Sequence, residues 1–425
     1  MFPQDKRSAL TIQVATKVTG SKQFLKSDRE WQIFNQSEGS QAASTSQDSQ
    51  IPALPVKKTV AVVIDTGTGI SKAGMAGEQK PSSLVSTLVG YPLKKSLKCG
   101  NIRDPFYIGS LALIQPDVKI IEPVRHGIIV DWEAIETLWR HTFYYDLKTS
   151  PEEHAILLSD PPLSPTTNRE KLVEVLFESM HSLAMYVSYQ SVLSTYSYGK
   201  VSGLVVESGY GVTHTVPVFQ GYILPHATER MDIAGKDLTT HLMKLLQKSA
   251  CMFTEKTRHI VEDIKQKCCY VALDYECELC LPENEYLVDY KLPDGQVITI
   301  GKERFQCPEI LFKPPQMEGV SLAGIHFMAQ RSLQKIPEES KKEIQENIFL
   351  CGGSTLYEGF TERFTKELLK HQPQHKSNVL SVPEREYSTW LGGSILASLT
   401  SFQSCWIHAQ QYKEYGPHIV YRKCY

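Results

Sequence analysis

Short apolar runs that end in glycine turns stand out in the pattern of hydrophobic and polar positions along the chain. Five apolar residues, Val60–Ile64, have the length of a strand and end at Asp65. The turn TGTG follows at 66–69, and a second, partly apolar run contains Lys72. Two such runs joined by a short glycine turn predict a β-hairpin.

The same pattern returns far downstream. An apolar run from Val201 ends at Glu207, the turn SGYG occupies 208–211, and a returning strand is predicted over Val212–Phe219. Two copies of one supersecondary unit indicate a duplicated domain. A third glycine turn, CGGSTLYEG at 351–359, follows the short predicted strand Ile348–Leu350 and precedes a helical stretch.

These turns carry chemistry that suits a phosphate group. Gly67 and Gly69 have no Cβ, so backbone N–H groups can come close to a bound anion. Thr68 adds a hydroxyl donor and Lys72 a positive charge, while Asp65 is positioned to hold a hydrated cation on the same anion. A glycine turn alone is most often only a turn. Two hairpins that face each other, however, would clamp a polyphosphate, and the third turn would add backbone N–H groups and a helix start.

Helical periodicity alternates with the predicted strands. Apolar residues repeat at helical spacing within 126–143, 167–180, 229–246, 260–273 and 391–406. A strand over Ala155–Leu158 precedes one of these stretches, and Thr167 with Glu170 predicts a capping box at its start. The segment 291–300 predicts a further hairpin that turns at Pro293–Gly295. Strands that alternate with helices indicate an α/β layered fold.

Bulk composition excludes several classes of function. With 425 residues the chain is long enough for two domains, and its net charge of −2 gives no reason to expect nucleic acid or an anionic membrane as a partner. No apolar run approaches the roughly 18 residues of a membrane span, and no signal peptide is apparent, so we expect a soluble intracellular protein.

The ten cysteines are scattered, as reduced thiols usually are. Cys277 and Cys280, with Cys268 and Cys269 nearby, also allow a zinc knuckle. The main argument against that reading is that no second pair stands at a recurring zinc spacing.

Residues 1–57 form a separate segment. The stretch 37–50 is polar and nearly devoid of apolar residues, so it cannot bury enough surface to offset the entropy of ordering. We therefore predict a disordered N-terminal extension. Trp31, Ile33 and Phe34 form a small apolar island within it, which is either a docking motif or an unused patch.

From about Val60 to Tyr425 the sequence resembles actin. The resemblance rests on GVTHTVP at 211–217, KLPDGQVITIGKERFQCPE at 291–309, WLGGSILASL at 390–399 and IVYRKCY at 419–425. In its details it is similar to the divergent actin-like proteins of the male germ line.

The resemblance implies an α/β, actin-like ATPase fold, in which two similar α/β domains, each subdivided, surround a nucleotide cleft. The first half would be 58–190 and the second 191–385, with 386–425 returning to the first half.

The resemblance also implies a cofactor, ATP or ADP with Mg²⁺ or Ca²⁺. In that site Asp65 and Glu207 would hold the metal through water, Glu207 would also act in catalysis, and Gln190 would orient the attacking water. The sequence alone is equally compatible with Gln190 as a polar residue near the hinge between the halves. The residues implied in nucleotide binding are Gly67, Thr68, Gly69, Ile70, Lys72, Gly209, Gly211, Val212, Gly235, Lys265, Gln266, Gly352, Gly353, Ser354, Leu356 and Tyr357.

Four positions of the implied pocket depart from actin. Glu207 replaces an aspartate, Tyr210 a carboxylate, Gln266 a glutamate near the ribose and Glu386 a lysine near the adenine. A misplacement of about 1 Å can cost on the order of 100-fold in rate. We therefore expect the backbone phosphate grip to survive and hydrolysis to be slow or absent, so that the protein is not expected to be an effective ATPase.

Two further segments bear on partners. The residues at 91–106 do not match the mobile loop with which actin contacts the next subunit, so conventional filament assembly is not favoured. His126 matches a position that is methylated in actin, and a plain surface histidine is the simpler interpretation. A groove that receives actin-binding-type proteins is implied by Tyr196, Gly199, Val201, Leu391, Ile395, Leu396, Leu399 and Cys405.

The function expected from these observations is that of a structural, cytoskeletal or adaptor protein that acts through protein contacts. We expect it in the cytoplasm or cytoskeleton of spermatids and in the sperm head. The alternatives are a filament-forming ATPase, a nuclear actin-related scaffold subunit and, because sugar kinases share the fold in outline, a small-molecule phosphotransferase.

Overall fold

A computed structural model describes residues 60–93, 106–248, 252–315, 322–371 and 377–424. The predicted extension 1–57 lies outside these ranges, as does most of the segment 91–106. The strands run as follows: β1 Val62–Thr66, β2 Ile70–Met75, β3 Ser83–Ser86, β4 Val89–Pro92, β5 Tyr107–Ile108, β6 Val118–Ile121, β7 Val124–Arg125, β8 Ile128–Ile129, β9 Ala155–Asp160, β10 Ala184–Tyr189, β11 Gly203–Ser208, β12 Thr213–Phe219, β13 Tyr222–Ile223, β14 Glu229–Met231, β15 Val288–Lys291, β16 Val297–Ile300, β17 Asn347–Cys351, β18 Asn378–Leu380 and β19 Ile407–His408.

The α-helices are interleaved with the strands. Their bounds are α1 Leu111–Ile114, α2 Trp132–His141, α3 Thr166–Glu174, α4 Gln190–Ser197, α5 Gly235–Lys248, α6 Arg258–Cys268, α7 Tyr275–Leu279, α8 Glu283–Tyr286, α9 Glu303–Glu309, α10 Ile325–Gln334, α11 Glu338–Gln345, α12 Phe360–His371, α13 Ser388–Ser398, α14 Ala409–Tyr415 and α15 Val420–Lys423.

Two mixed sheets share one topology. In the first, β1 pairs antiparallel with β2 and parallel with β9, and β9 pairs parallel with β10. In the second, β11 pairs antiparallel with β12 and parallel with β17, and β17 pairs parallel with β18. The same hairpin followed by the same two parallel strands appears in both, which is the duplication that the repeated sequence pattern predicts.

The central strands are buried because each is covered on both faces. All five residues of β1 are buried, as expected for a strand with a parallel neighbour and helices above and below. Trp139 and Phe143 belong to the core beside the first sheet, and Phe312, Phe360 and Phe364 to the core beside the second. The α/β fold class with two similar layered halves is therefore confirmed.

The final strand joins the first sheet. β19 pairs antiparallel with β10, so that the segment after α13 lies against the half in which the described chain begins. The exact boundaries 58–190, 191–385 and 386–425 stay a prediction.

The helix predicted within 126–143 is α2, which begins at Trp132 and is capped by the Asp131 carboxylate, accepting from the Ala134 N–H at 3.0 Å. Two other predicted element boundaries are wrong. The predicted capping box at Thr167 is absent, because α3 begins at Thr166 with Pro165 at the cap position and no side-chain cap bond. The helix predicted through Trp406 ends at Ser398, because Leu399 has extended backbone angles.

Candidate phosphate-binding cleft

The first glycine turn is held in place from several directions. Asp65 and Lys72 are register partners across the β1–β2 hairpin, and their side chains form an ion pair of 2.8 Å. The indole N–H of the buried Trp139 donates to Thr66 Oγ1 at 3.0 Å. Thr87 donates its hydroxyl to the Gly67 carbonyl at 2.8 Å and its N–H to the Gly69 carbonyl at 2.9 Å. The turn is thus a rigid loop whose position is fixed by its neighbours.

Polar side chains converge on Asp65 at the end of the first sheet. Ser159, near the end of β9, donates to Asp65 Oδ1 at 2.6 Å. Gln190, the first residue of α4, lies with its Nε2 3.3 Å from the same oxygen. Glu207 lies close enough for the charge of Asp65 to act on it. The structure therefore brings together the predicted metal and catalytic residues Asp65, Glu207 and Gln190, and adds Ser159, which the sequence interpretation missed.

Glu207 has an unusual protonation equilibrium. Burial, together with the charge of Asp65, raises the pKa of its carboxyl to about 7, although Lys72 opposes the change. Two carboxylates share one nearby ammonium group. Carboxylate oxygens of this kind are ligands for a divalent cation, directly or through water, and such a cation would favour the ionised form of Glu207.

The second and third glycine turns pack on each other. The Gly209 carbonyl accepts from the Gly235 N–H at 3.0 Å and from the Ser354 hydroxyl at 2.7 Å. Gly352 has φ +87°, and a Cβ there would lie 2.3 Å from the Ser208 carbonyl oxygen. The third turn can therefore approach the second only because residue 352 is glycine.

The first and second turns face each other across the cleft. A Cβ on Gly69 would lie 2.6 Å from Tyr210 Cγ, and a Cβ on Gly211 would lie 2.6 Å from the Thr68 side chain. The Thr68 hydroxyl accepts from the Gly127 N–H at 2.9 Å. The two turns therefore lie opposite and close to each other, and Val212, which follows the second turn, is buried.

Comparison with known protein families gives a match that covers most of the chain. The family model for actin matches residues 56–425. The chain belongs to the actin family. It is 51% identical over 369 residues to Actin-like protein 9 of Homo sapiens, covering 87% of this chain and 89% of that protein. It is 49% identical to Actin-like protein 9 of Mus musculus over the same shares, and 48% identical to Actin-like protein 7A of Bos taurus over 90% of this chain and 87% of that protein.

Membership of the actin family has general consequences. The actin fold generally binds a nucleotide with a divalent metal ion, and actin-related proteins generally interact with other proteins. The actin-like relatives indicate a cytoskeletal protein.

In the described ranges, no helix combines the length and the apolar character that crossing a membrane requires. Within the same ranges, no three His, Cys, Asp or Glu side chains are grouped as direct ligands of a metal ion, and this includes Cys268, Cys269, Cys277 and Cys280.

Lys265 and Gln266, the residues of α6 expected near the nucleoside, differ in their burial. Lys265 is only 6% exposed, and its ammonium group donates to the Gly235 carbonyl at 2.8 Å and to Thr239 Oγ1 at 2.7 Å. Burial lowers its pKa. Gln266, the next residue, is exposed. Lys265 thus joins α5 to α6 and has a structural role there, whereas Gln266 remains exposed on α6.

The other residues predicted near the nucleotide differ in their burial and packing. Ile70 and Leu356 are exposed, Gly353 has open space around it, and Tyr357 packs against the core of the second half. Glu386, which replaces the lysine found in actin, has a buried Oε2 without a hydrogen-bond partner among the described residues.

Tyr210 has a partner that the sequence did not indicate. Its hydroxyl donates to Glu262 Oε1 at 2.6 Å, and burial raises the pKa of the phenol. Since 52 residues separate the two, no local pattern predicts the contact. The carboxylate that actin has at this position is replaced by a neutral ring tied to α6.

His214 is a further residue that sequence reasoning missed. It is 1% exposed in β12, where its register partners are Glu207 in β11 and Arg230 in β14. Its Nε2 has no hydrogen-bond partner in the described part of the chain. Burial, together with the charge of Arg230, lowers its pKa to about 3, although Asp232 opposes the change. The available signal was a histidine between two threonines at the start of the returning strand.

His126 takes part in contacts between the halves. Its ring is exposed, yet Nδ1 lies 2.7 Å from the Gly211 carbonyl oxygen. Its own carbonyl accepts from Arg230 at 3.1 Å. At the same edge Lys236 and Glu122 form an ion pair of 2.6 Å. His126 is thus a surface histidine that also contacts the second turn.

The residues of the predicted partner groove lie on α4 and α13 and in the segments that follow these two helices. The Ser194 and Thr389 hydroxyl oxygens are 3.0 Å apart between these helices. Tyr196 packs in the same apolar cluster as Leu391, Leu396, Leu399 and Cys405. The remaining predicted members, Gly199, Val201 and Ile395, are partly buried.

Proposed function

We propose that this actin-family protein is a structural or adaptor protein of developing sperm cells, and that it works through protein contacts. We propose further that its cleft binds ATP or ADP with a divalent cation but hydrolyses ATP slowly or not at all. The observation that carries the proposal is the state of the second turn, where Tyr210 is bonded to Glu262 and a longer carboxylate, Glu207, stands beside Asp65.

The phosphate grip depends on groups that remain. The turn at 66–69 is braced by Thr87 and Trp139, and Lys72 supplies a positive charge at its base. Backbone N–H groups in such turns bind anions without help from side-chain carboxylates. Asp65 and Glu207 would hold the cation through water, and the cation would supply charge neutralisation for the phosphates.

Hydrolysis depends on groups that have changed. Gln190 lies near Asp65, which suits a role in orienting water. A carboxylate displaced by one methylene at Glu207 and a neutral phenol at Tyr210 weaken the ordering of the cation and of that water. Because misplacements of about 1 Å can cost on the order of 100-fold in rate, we expect binding without effective turnover.

Binding and hydrolysis are measured separately on the purified full-length protein. Isothermal titration with MgATP and MgADP should give saturable binding, and a phosphate-release assay under saturating MgATP should give a rate at least about 100-fold below that of actin assayed in parallel. The double variant Glu207→Asp, Tyr210→Asp should regain phosphate release. Release at the rate of actin by the unmodified protein would refute the impaired-hydrolysis proposal.

The partner groove is the surface proposed for the adaptor role. Leu391 and Ile395 lie on α13, and both are only partly buried. Affinity capture from testis tissue should return specific proteins with the unmodified protein and lose them with Ile395→Glu. Recovery of the same proteins with both baits, or of chaperones alone, would contradict a groove-mediated adaptor function.

A filament-forming ATPase is the second candidate, and the grouping of Gln190, Ser159 and Asp65 favours it. A pelleting assay with MgATP distinguishes the two. Sedimentation that requires MgATP and rises above a critical protein concentration would support the filament, whereas a supernatant that holds the protein at every concentration would support the adaptor.

A further inference from the structure

The Tyr210 side chain crosses the cleft. It leaves the second turn and lies so close to the first that a Cβ on Gly69 would come within 2.6 Å of Cγ and 3.0 Å of Cδ1. The ring is therefore in direct contact with the backbone of the first turn. No side chain could be added at residue 69 while Tyr210 keeps this position.

The far end of the ring is anchored on α6. The hydroxyl donates to Glu262 Oε1 at 2.6 Å, a hydrogen bond strengthened by the charge of its acceptor. Arg258, one turn earlier, lies 3.8 Å from the same carboxylate. The arginine is itself held by the Lys236 carbonyl at 2.7 Å and by Thr240 Oγ1 at 2.8 Å. Tyr210 thus links the first turn to a fixed group on the second half.

The ring spans the space between the first turn and α6. On one side lie the turns with Asp65 and Lys72, which form the phosphate grip. On the other side lies the face of α6 that carries Glu262 and, one helical turn later, Gln266. The Lys265 ammonium group is 5.9 Å from the ring centroid. A ligand that is held by the turns and also reaches α6 must pass through the space that the phenol occupies.

We propose that Tyr210 determines which phosphate compounds enter the cleft. Inorganic diphosphate or triphosphate with a divalent cation is short enough to occupy the grip beside the ring. A nucleoside polyphosphate is longer, and its sugar and base enter only after the phenol leaves Glu262. This inference rests on the proposed phosphate grip and adds to it a residue that selects the ligand.

The test compares two ligands on one protein. Isothermal titration with magnesium triphosphate and with MgATP is carried out on the full-length chain, on Tyr210→Phe and on Tyr210→Ser. Tyr210→Phe keeps the ring and removes the bond to Glu262, and the loss of one hydrogen bond to a charged acceptor shifts an equilibrium by about tenfold. We expect MgATP to bind about tenfold more tightly to Tyr210→Phe and more tightly still to Tyr210→Ser, with magnesium triphosphate unchanged within about twofold.

Tyr270→Phe is the matched control. Tyr270 donates to Glu278 Oε1 at the same distance of 2.6 Å, but its acceptor lies on α7 and the bond involves no glycine turn. This variant should bind both ligands as the unmodified protein does. Thermal unfolding without ligand shows whether each variant is folded, and the conservative Tyr210→Phe keeps the test valid if Tyr210→Ser does not fold.

The outcomes separate this inference from the proposed function. Equal MgATP affinities in the unmodified protein, Tyr210→Phe and Tyr210→Ser would overturn the role of Tyr210 and leave the phosphate grip standing. Failure of magnesium triphosphate and of MgATP to bind any of the proteins would overturn the grip, and the role of Tyr210 with it.

Discussion

The ammonium group of Lys72 lies 2.8 Å from Oδ2 of Asp65, directly across the β1–β2 hairpin. Only 15% of the lysine side chain and 4% of the aspartate side chain are exposed. Because both charges are largely withdrawn from water, each depends on the other for compensation. The pair fixes the carboxylate on which Ser159 and Gln190 converge, and so it couples the stability of the hairpin to the geometry of the cleft.

Lys72→Met is expected to destabilise the protein by about 3 kcal/mol, because removing one partner leaves a buried charge uncompensated. The measurement is the free energy of unfolding in urea. The double variant Asp65→Asn, Lys72→Met should recover most of the loss. Lys171→Met removes an exposed ion pair with Glu174 and should cost less than about 0.5 kcal/mol, since solvent screens that pair. Equal losses in the two lysine variants would contradict the assigned role of burial.

Arg169 is expected to hold the end of the chain on the first half. Its Nε lies 2.7 Å from Asp160 Oδ2, its Nη1 donates to the Cys424 carbonyl at 3.1 Å, and its guanidinium lies 4.0 Å above the Tyr189 ring. Arg169→Lys keeps the charge but loses the planar fork and the stacking, so we expect a loss of about 2 kcal/mol.

Thermal unfolding measures this loss, and hydrogen exchange over 420–424 should rise in Arg169→Lys. Lys341→Ala is the control, because its partner Glu338 is 83% exposed, and a change below about 0.5 kcal/mol is expected. Unaltered exchange over 420–424 in Arg169→Lys would show that the chain end is held by other contacts.

The sequence predicted those features of the fold that depend on the local pattern of apolar residues and glycines. Apolar runs ending at Asp65 and Glu207, each with a glycine turn, were sufficient for the two hairpins and for the duplication. Helix ends were predicted less well, because they depend on single backbone angles. Leu399 continues the apolar periodicity of α13, yet its ψ of 134° ends the helix.

Long-range partners were beyond local pattern. The contact of Tyr210 with Glu262 joins a turn to a helix 52 residues away, and only the packed structure brings them together. The same holds for Ser159, whose hydroxyl reaches Asp65 from a neighbouring parallel strand. Such long-range pairs determine the chemistry of the cleft, so more of the fold than of the site could be predicted from the sequence.

Gly392→Ala is expected to separate α4 from α13. A Cβ at residue 392 would lie 1.7 Å from the Leu193 carbonyl oxygen, which is far inside contact distance. Alanine gains about 1 kcal/mol over glycine in helix propensity, but overpacking at a tight contact costs about 3 kcal/mol, so the net effect is destabilising. The free energy of unfolding measures it. Gly353→Ala, where no atom lies within 4 Å of the added carbon, should change stability by less than about 0.5 kcal/mol. A neutral Gly392→Ala would mean that the two helices move apart at little cost.

His214 is expected to make the protein less stable in mild acid. Burial, with the charge of Arg230, lowers its folded-state pKa to about 3 from 6.5, although Asp232 opposes the change and Glu207 lies opposite on β11. Between these two values the unfolded chain binds a proton that the folded chain does not, so stability falls as the pH drops below 6.5. At pH 5 the loss amounts to about 2 kcal/mol, since each unit of pH below 6.5 costs about 1.4 kcal/mol.

The measurement is urea unfolding at pH 7 and pH 5 for the unmodified protein and for His214→Gln. The variant cannot take up that proton, so its stability should fall by about 2 kcal/mol less between the two pH values, whatever its stability at pH 7. His259→Gln, at an exposed position of α6, should retain the pH dependence of the unmodified protein. An equal loss of stability between pH 7 and pH 5 in the unmodified protein and in His214→Gln would show that His214 is protonated as readily in the folded chain as in the unfolded one. That result would contradict the buried, uncharged state of His214.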